Sequence, residues 1–302
     1  MRYDDFQINS RIRREAIKLF HLKSYVCVQF LNMSTSQDIT EKKYRKLVLL
    51  VGTKGFSYTV HDTLNERVEF VKHIDFENFP RSNRVEDHYW KAFVDNYDLT
   101  RDYDQVLVIH NNNLNTFVPQ ALFDPEFLGS YLQYNTKVFE TDFFDYDEIP
   151  NTEMNNVYIP YVNINNFLID QFGPFTYKNA NSILVSRLLE LSKNIDSKRV
   201  FVHFTTNCFE IVVVQNQKLL LFNSFEYTTK EDFLYYLLFT AEQLNLNPET
   251  FRLQLLGEIS EDSEYFKMAY KYVRNVSLIE LDDRYDNLSK ADRLKHFILL
   301  QS

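Results

Sequence analysis

The residue types that could do chemistry are few in this chain and poorly spaced for it. Seven histidines, His21, His61, His73, His88, His110, His203 and His296, include no close pair of the kind that sets two imidazoles on one metal. His110 and His203 lie in or at the end of expected strands, where a packed histidine is the plain reading. Cys27 and Cys208 are too few for a disulfide framework or a thiolate zinc site. Cys208 follows a strand turn without a basic neighbour, so nothing in the sequence activates it. The acidic run from Glu140 to Glu148 could hold a cation or a basic partner; its default is an exposed loop anchored by aromatics. Glycine is the most informative type. Only Gly52, Gly55, Gly129, Gly173 and Gly257 occur. Backbones that wrap a phosphate chain need glycine for close approach and positive φ, so there is little material here for such loops.

The elements that must position these residues belong to a folded, soluble chain: 302 residues, 45% hydrophobic and 25% charged. That length predicts two domains or lobes. No stretch is apolar for the roughly 18 residues that a membrane helix needs. The net charge is −9. The cluster Arg11, Arg13, Arg14 and Lys18 is the one basic concentration, so no nucleic-acid surface is expected. Cysteine usage predicts the cytoplasm.

The first residues read differently from the rest. Ile8 to Leu22 predicts a basic helix and Tyr25 to Leu31 a strand. Met33 then opens a polar run typical of a chain start. Residues 1–38 are therefore expected to be an extension outside the fold, with Met33 a candidate start. A signal peptide fits less well, because the apolar patch is short and no small-residue cleavage site comes after it.

An internal repeat organises the chain from Leu47 onward. Leu47 to Val60 reads LVLLVGTKGFSYTV, and Arg199 to Val213 reads RVFVHFTTNCFEIVV. At an offset of about 153 residues, Val51 meets Phe204, Phe56 meets Phe209 and Tyr58 meets Ile211. Each is a strand, a short turn and a second strand. Third strands follow at Val68–Ile74 and Leu219–Phe225. Helices come next: Val85–Tyr97, capped by Ser82 or Asn83, and Lys230–Leu244, capped by Thr228 or Thr229. The halves continue with strands Gln105–His110 and Phe251–Leu256, then helices Pro125–Tyr134 and Asp262–Arg274. Fifth strands are expected at Lys137–Phe144 and Val276–Leu281. A strand at Asn156–Pro160 and two helices, near Val162–Gln171 and Asn181–Lys193, join the halves. The tail Arg293–Gln301 reads equally as helix or strand. On the second-half helix, Asp232, Tyr235, Tyr236 and Phe239 share one face, which is expected to pack on the sheet; if exposed, it would be a partner site.

This doubled α/β pattern resembles the actin-like ATPase superfamily. More narrowly, the chain is similar to a bacterial domain-of-unknown-function family (DUF3822) within it. The resemblance rests on Ile39–Leu47, Gly55-Phe56-Ser57-Tyr58, Val157–Pro160, Asn223–Tyr227 with Glu231–Tyr236, and Leu256–Ile259. It implies two actin-like (ribonuclease H-like) lobes, residues 39–152 and 153–302, each a mixed five-stranded sheet with flanking helices.

In ATP-binding relatives of that superfamily, the first hairpin turn of each lobe supplies an Asp and glycines to phosphate and Mg²⁺. A Gly-Gly after the second lobe's fourth strand receives the nucleoside. The matching positions here are Gly52, Thr53, Lys54 and Gly55; Thr205 and Thr206; and Gly257. The first turn lacks Asp, the second lacks Asp and Gly and carries bulky Phe204, and the third keeps one glycine beside Glu258. These are expected to form a vestigial cleft with no catalytic residue, metal or cofactor, because phosphoryl transfer needs the missing charge neutralisation. The expectation is a non-catalytic scaffold that binds a protein partner or its own copy. The alternative is an actin-like ATPase or switch with atypical loops that binds ATP and Mg²⁺ weakly; a small-molecule module using the cleft is a third reading.

Overall fold

A computed structural model describes residues 42–77, 84–281, 285 and 287–302, within which a compact unit runs from Lys43 to Ser302. The basic helix and strand expected before Met33, the candidate start itself, Cys27, and the caps Ser82 and Asn83 lie outside the described residues.

Two sheets arise from the repeated hairpins. The first half supplies β1 (Arg45–Val51), β2 (Gly55–Asp62), β3 (Arg67–Asp75), helix α1 (Val85–Asp95) and β4 (Gln105–His110). Then come β5 (Asn115–Pro119), α2 (Leu128–Leu132), β6 (Asp145–Glu148), β7 (Met154–Tyr158), α3 (Val162–Phe172), β8 (Thr176–Asn179) and α4 (Ala180–Leu191). The second half supplies β9 (Arg199–Phe204), β10 (Cys208–Gln215), β11 (Lys218–Glu226), α5 (Lys230–Gln243), β12 (Arg252–Gly257), α6 (Glu264–Tyr272) and β13 (Asn275–Leu278). The tail forms two short helices, α7 (Lys290–Lys295) and α8 (Phe297–Leu300).

The sheets have the same order, β3-β2-β1-β4-β8 and β11-β10-β9-β12-β13, and β5-β7-β6 form a small third sheet. The duplication extends to register. Val51 faces Phe56 across the first turn and Phe204 faces Phe209 across the second. A bulge falls between Val60 and His61 in one half and between Val213 and Val214 in the other, again 153 residues apart. The fifth strand of the first half corrects the sequence expectation. Residues 137–144 form no strand; β8, beyond the expected lobe boundary at residue 152, completes the sheet beside β4. The place beside β4 is an edge position, filled by the short, mostly polar β8, while β6, which follows residues 137–144, pairs in the small sheet instead.

Alternation places the core. In β1, Leu47, Leu49 and Val51 pack with α1 and α3 on the outer face, while Val48 points to a central layer. In β9 and β10, Val200, Val202, Phe204, Phe209, Ile211 and Val213 pack outward with α5 and α6. Phe201, Val212 and Val214 join Val48 and Ile109 in the central layer, with α4 and α8. The central strands of both sheets are thus covered on both faces, which is why β1, β9 and β10 read as near-continuous apolar runs.

Candidate functional site

The two hairpin turns and the end of β12 form the candidate site. The first turn, Gly52 to Lys54, is held from behind by Tyr89 of α1. The Tyr89 hydroxyl accepts from the Gly52 N–H (3.1 Å) and donates to the Gly52 carbonyl (2.9 Å). Burial pushes this phenol well above its usual ionisation range, so it stays a neutral donor and acceptor. Gly55 is required by sheet pairing: a Cβ there would stand 2.5 Å from the Ile74 carbonyl oxygen of β3. Thr53 borders a separate recess of about 330 Å³ shared with Asp142, Tyr161 and Asn163. Tyr89→Phe would strand both polar groups of Gly52. We expect a loss of about 1–2 kcal/mol in urea unfolding, with far-UV circular dichroism unchanged.

The second turn, Thr205 to Asn207, closes on itself and on the first. The Thr205 N–H and hydroxyl both donate to the Cys208 carbonyl (2.9 Å each). With its amide oriented to satisfy its neighbours, Asn207 accepts from Lys54 Nζ through its side-chain oxygen (3.0 Å). Asn113, in the loop after β4, donates to Cys208 Sγ (3.2 Å). Thr206 donates to Glu258 (3.0 Å), and Glu258 pairs with Lys295 of α7 (3.1 Å). Phe204 is buried outward among Phe209, Tyr227, Phe233 and Tyr265. Gly257 has φ +89°, and a Cβ there would stand 2.1 Å from the Phe204 carbonyl oxygen; the Glu258 N–H donates to that same oxygen (2.9 Å).

The structure therefore brings Lys54 to the Thr205–Asn207 turn, and Thr206 to the residue after Gly257. It places Thr53 in the neighbouring recess, and Gly52 and Gly55 in contacts with their own half. Other titratable groups behind the turns are also engaged. His203 Nδ1 and Glu210 Oε2 lie 2.8 Å apart, both buried on the inner face of the second sheet. Ser224 donates to the other Glu210 oxygen (3.3 Å). Burial and then the Glu210 charge push the Cys208 thiol up. Burial pushes His110 down to about 4, and its Nδ1 accepts from the Tyr161 N–H (3.2 Å). No group of three or more His, Cys, Asp or Glu among the described residues is placed to hold a metal.

Sequence reasoning missed an asparagine network beside this site. Asn112, Asn115, Asn156, Asn179 and Asn181 bond to one another between the small sheet, the β4 loop and the start of α4. Asp147 of β6 closes the network. One of its oxygens accepts from the Ser182 hydroxyl (2.5 Å) and the Asn179 N–H (2.8 Å). Burial pushes its carboxyl up to about 6. The signal in the sequence was the run Asn111-Asn112-Asn113 directly after β4, beginning at the place where the other half has Glu258; Gly257 is matched by His110.

The profile of the family described as protein of unknown function (DUF3822) matches residues 34–276. This chain belongs to that family. No curated protein matches the DUF3822 chain in sequence. Among solved structures, it is similar to a Bacteroides thetaiotaomicron VPI-5482 protein with an actin-like ATPase fold and unknown function. The TM-score is 0.73 at 22% identity, over 88% of this chain and 99% of that one. It is also similar to a chain of the PilM–PilN type IV pilus biogenesis complex, with a TM-score of 0.56 at 10% identity, over 84% and 96%. At these identities the likeness shows the fold, and with the paired five-stranded sheets it makes the DUF3822 chain an actin-like α/β protein. No helix among its described residues is long and apolar enough to cross a membrane.

Proposed function

We propose that this DUF3822 chain is a non-catalytic, actin-like scaffold that binds a protein partner. One observation carries the reading: the groups that a phosphate-binding corner would aim at ligand are bonded within the chain. The Gly52 N–H is held by Tyr89, Lys54 by Asn207, and Thr206 by Glu258. A carboxylate at the third corner is also repulsive to a triphosphate. The PilM–PilN neighbour, solved as a complex of two proteins, supports the partner half of the proposal.

A nucleotide switch with atypical loops is the rival reading, favoured by the recess beside Thr53. Thermal unfolding with Mg-ATP separates the two. Ligand at about 100 times Kd would stabilise the chain by about 2.7 kcal/mol. For a chain of this size that raises Tm by roughly 5 °C or more. We expect no saturable shift at millimolar Mg-ATP; a saturable one overturns the scaffold reading.

A further inference from the structure

Helix α5 departs from the pattern of an outer helix. Its sheet-facing side is Phe233, Leu237, Thr240 and Ala241; of the Asp232, Tyr235, Tyr236, Phe239 face expected from the sequence, Tyr236 packs on the sheet against Phe225 (ring centroids 4.3 Å apart), whereas Tyr235 and Phe239 do not. A covering helix normally turns charge to solvent. Here the outward side carries Tyr235, 62% exposed, and Phe239, 46% exposed, stacked with ring centroids 6.0 Å apart. Together with Met268 and Tyr272 of α6 they line a groove of about 590 Å³.

The groove's ends are acidic. Glu231 and Glu242 both line it, both are exposed, and neither takes part in an ion pair among the described residues. Eleven residues apart, they stand three turns apart on one side of α5, a span of about 16 Å. The one cation in the lining, Lys271, lies over the Tyr272 ring at 5.5 Å, so both glutamates remain open to an incoming positive charge.

We infer that this groove docks an amphipathic helix of a partner protein, about three turns long, with apolar side chains in the centre and a Lys or Arg near each end. Charge complementarity selects that occupant: the apolar centre meets Tyr235, Phe239 and Tyr272, the basic ends meet Glu231 and Glu242, and a cation also gains from the exposed ring faces. The inference rests on the partner-binding reading but uses a groove whose lining shares no residue with the two turns or Gly257, so the Mg-ATP result does not decide it.

The test is selection of 16-residue peptides from a random library against the full chain, followed by fluorescence anisotropy of the best binder. Enriched peptides should place basic residues about 11 positions apart around an apolar centre. Tyr235→Ala with Phe239→Ala should weaken binding about 100-fold or more, because aromatic anchors dominate such contacts. Glu231→Lys with Glu242→Lys should weaken it about tenfold, and a peptide with glutamates at its ends should then bind the reversed variant better than the original. Both double variants alter exposed side chains, and their folding is checked by circular dichroism. Absence of enrichment, peptides without paired basic residues, or binding unaffected by either variant overturns the inference. Self-association of the full chain that the Tyr235/Phe239 variant abolishes also overturns it, giving the groove to a second copy.

Discussion

Gly257→Ala is expected to destabilise the fold severely. The residue sits at the end of β12, opposite Phe204 of β9, with φ +89° and no room for a Cβ beside the Phe204 carbonyl. The obstruction is backbone, so no rotamer change relieves it; β12 would have to separate from β9. That would disturb the Glu258 N–H bond to Phe204 and the packing of Phe204, Phe209 and Phe233 beneath it. An alanine forced to positive φ costs about 1–2 kcal/mol before any clash. With the lost contact we expect about 4 kcal/mol or more, a large part of the 5–15 kcal/mol that holds a typical domain. Soluble yield and urea unfolding would measure it. The variant also bears on function: a glycine kept for nucleotide approach would tolerate alanine in the absence of nucleotide, whereas a glycine kept for strand approach would not.

That distinction explains how far the sequence could be read. The hairpin repeat was legible because both faces of each central strand are buried, so Val51/Phe56 and Phe204/Phe209 recur as large apolar residues at equal spacing. The cap of α5 was legible because it is local: Thr229 and Asp232 form a reciprocal capping box. Glycine positions were visible, but their cause was not, since Gly55 answers to Ile74 and Gly257 to Phe204, contacts set by pairing. On α5, Tyr236 packs on the sheet as expected, but Tyr235 and Phe239 were misread for a related reason. With Phe233, Tyr235, Tyr236, Leu237 and Phe239 in one helix, apolar residues surround the axis, and periodicity cannot choose a side. The Asp147 network escaped notice because its members come from distant segments, with no spacing rule to join them. β8 was missed because Thr176–Asn179 is four residues long and mostly polar, a strand that its neighbour β4 makes rather than its own sequence.

Acid is expected to unfold this chain through its histidines, with Asp147 working against them. Burial holds His61, His110 and His296 each down at about 4, against about 6.5 in the unfolded chain. A depressed group stabilises the fold fully above its unfolded value, and that stability is lost as the pH falls towards the folded value. By pH 4 each histidine has given up about 3 kcal/mol, on the order of 9 kcal/mol together. Asp147 has the opposite sign. Its folded value, raised to about 6 by burial, makes the neutral carboxyl the better fit, so its contribution is fully present below about 3.9 and lost as the pH rises through 6. It returns about 2 kcal/mol on acidification, leaving a net loss of about 6–7 kcal/mol between pH 7 and pH 4. Urea unfolding across that range should show it; a flat profile sinks the account. Asp147→Asn isolates the opposing group. The amide oxygen can accept from Ser182 and the Asn179 N–H as the carboxylate does, and the NH₂ can donate to the Tyr158 hydroxyl, now 3.3 Å from the other oxygen. The variant should therefore be more stable than the parent by about 2 kcal/mol at pH 8 and equal to it at pH 4. A variant that is instead less stable at pH 8 would mean that the ionised carboxylate, not the neutral group, is what the asparagine network was built to hold.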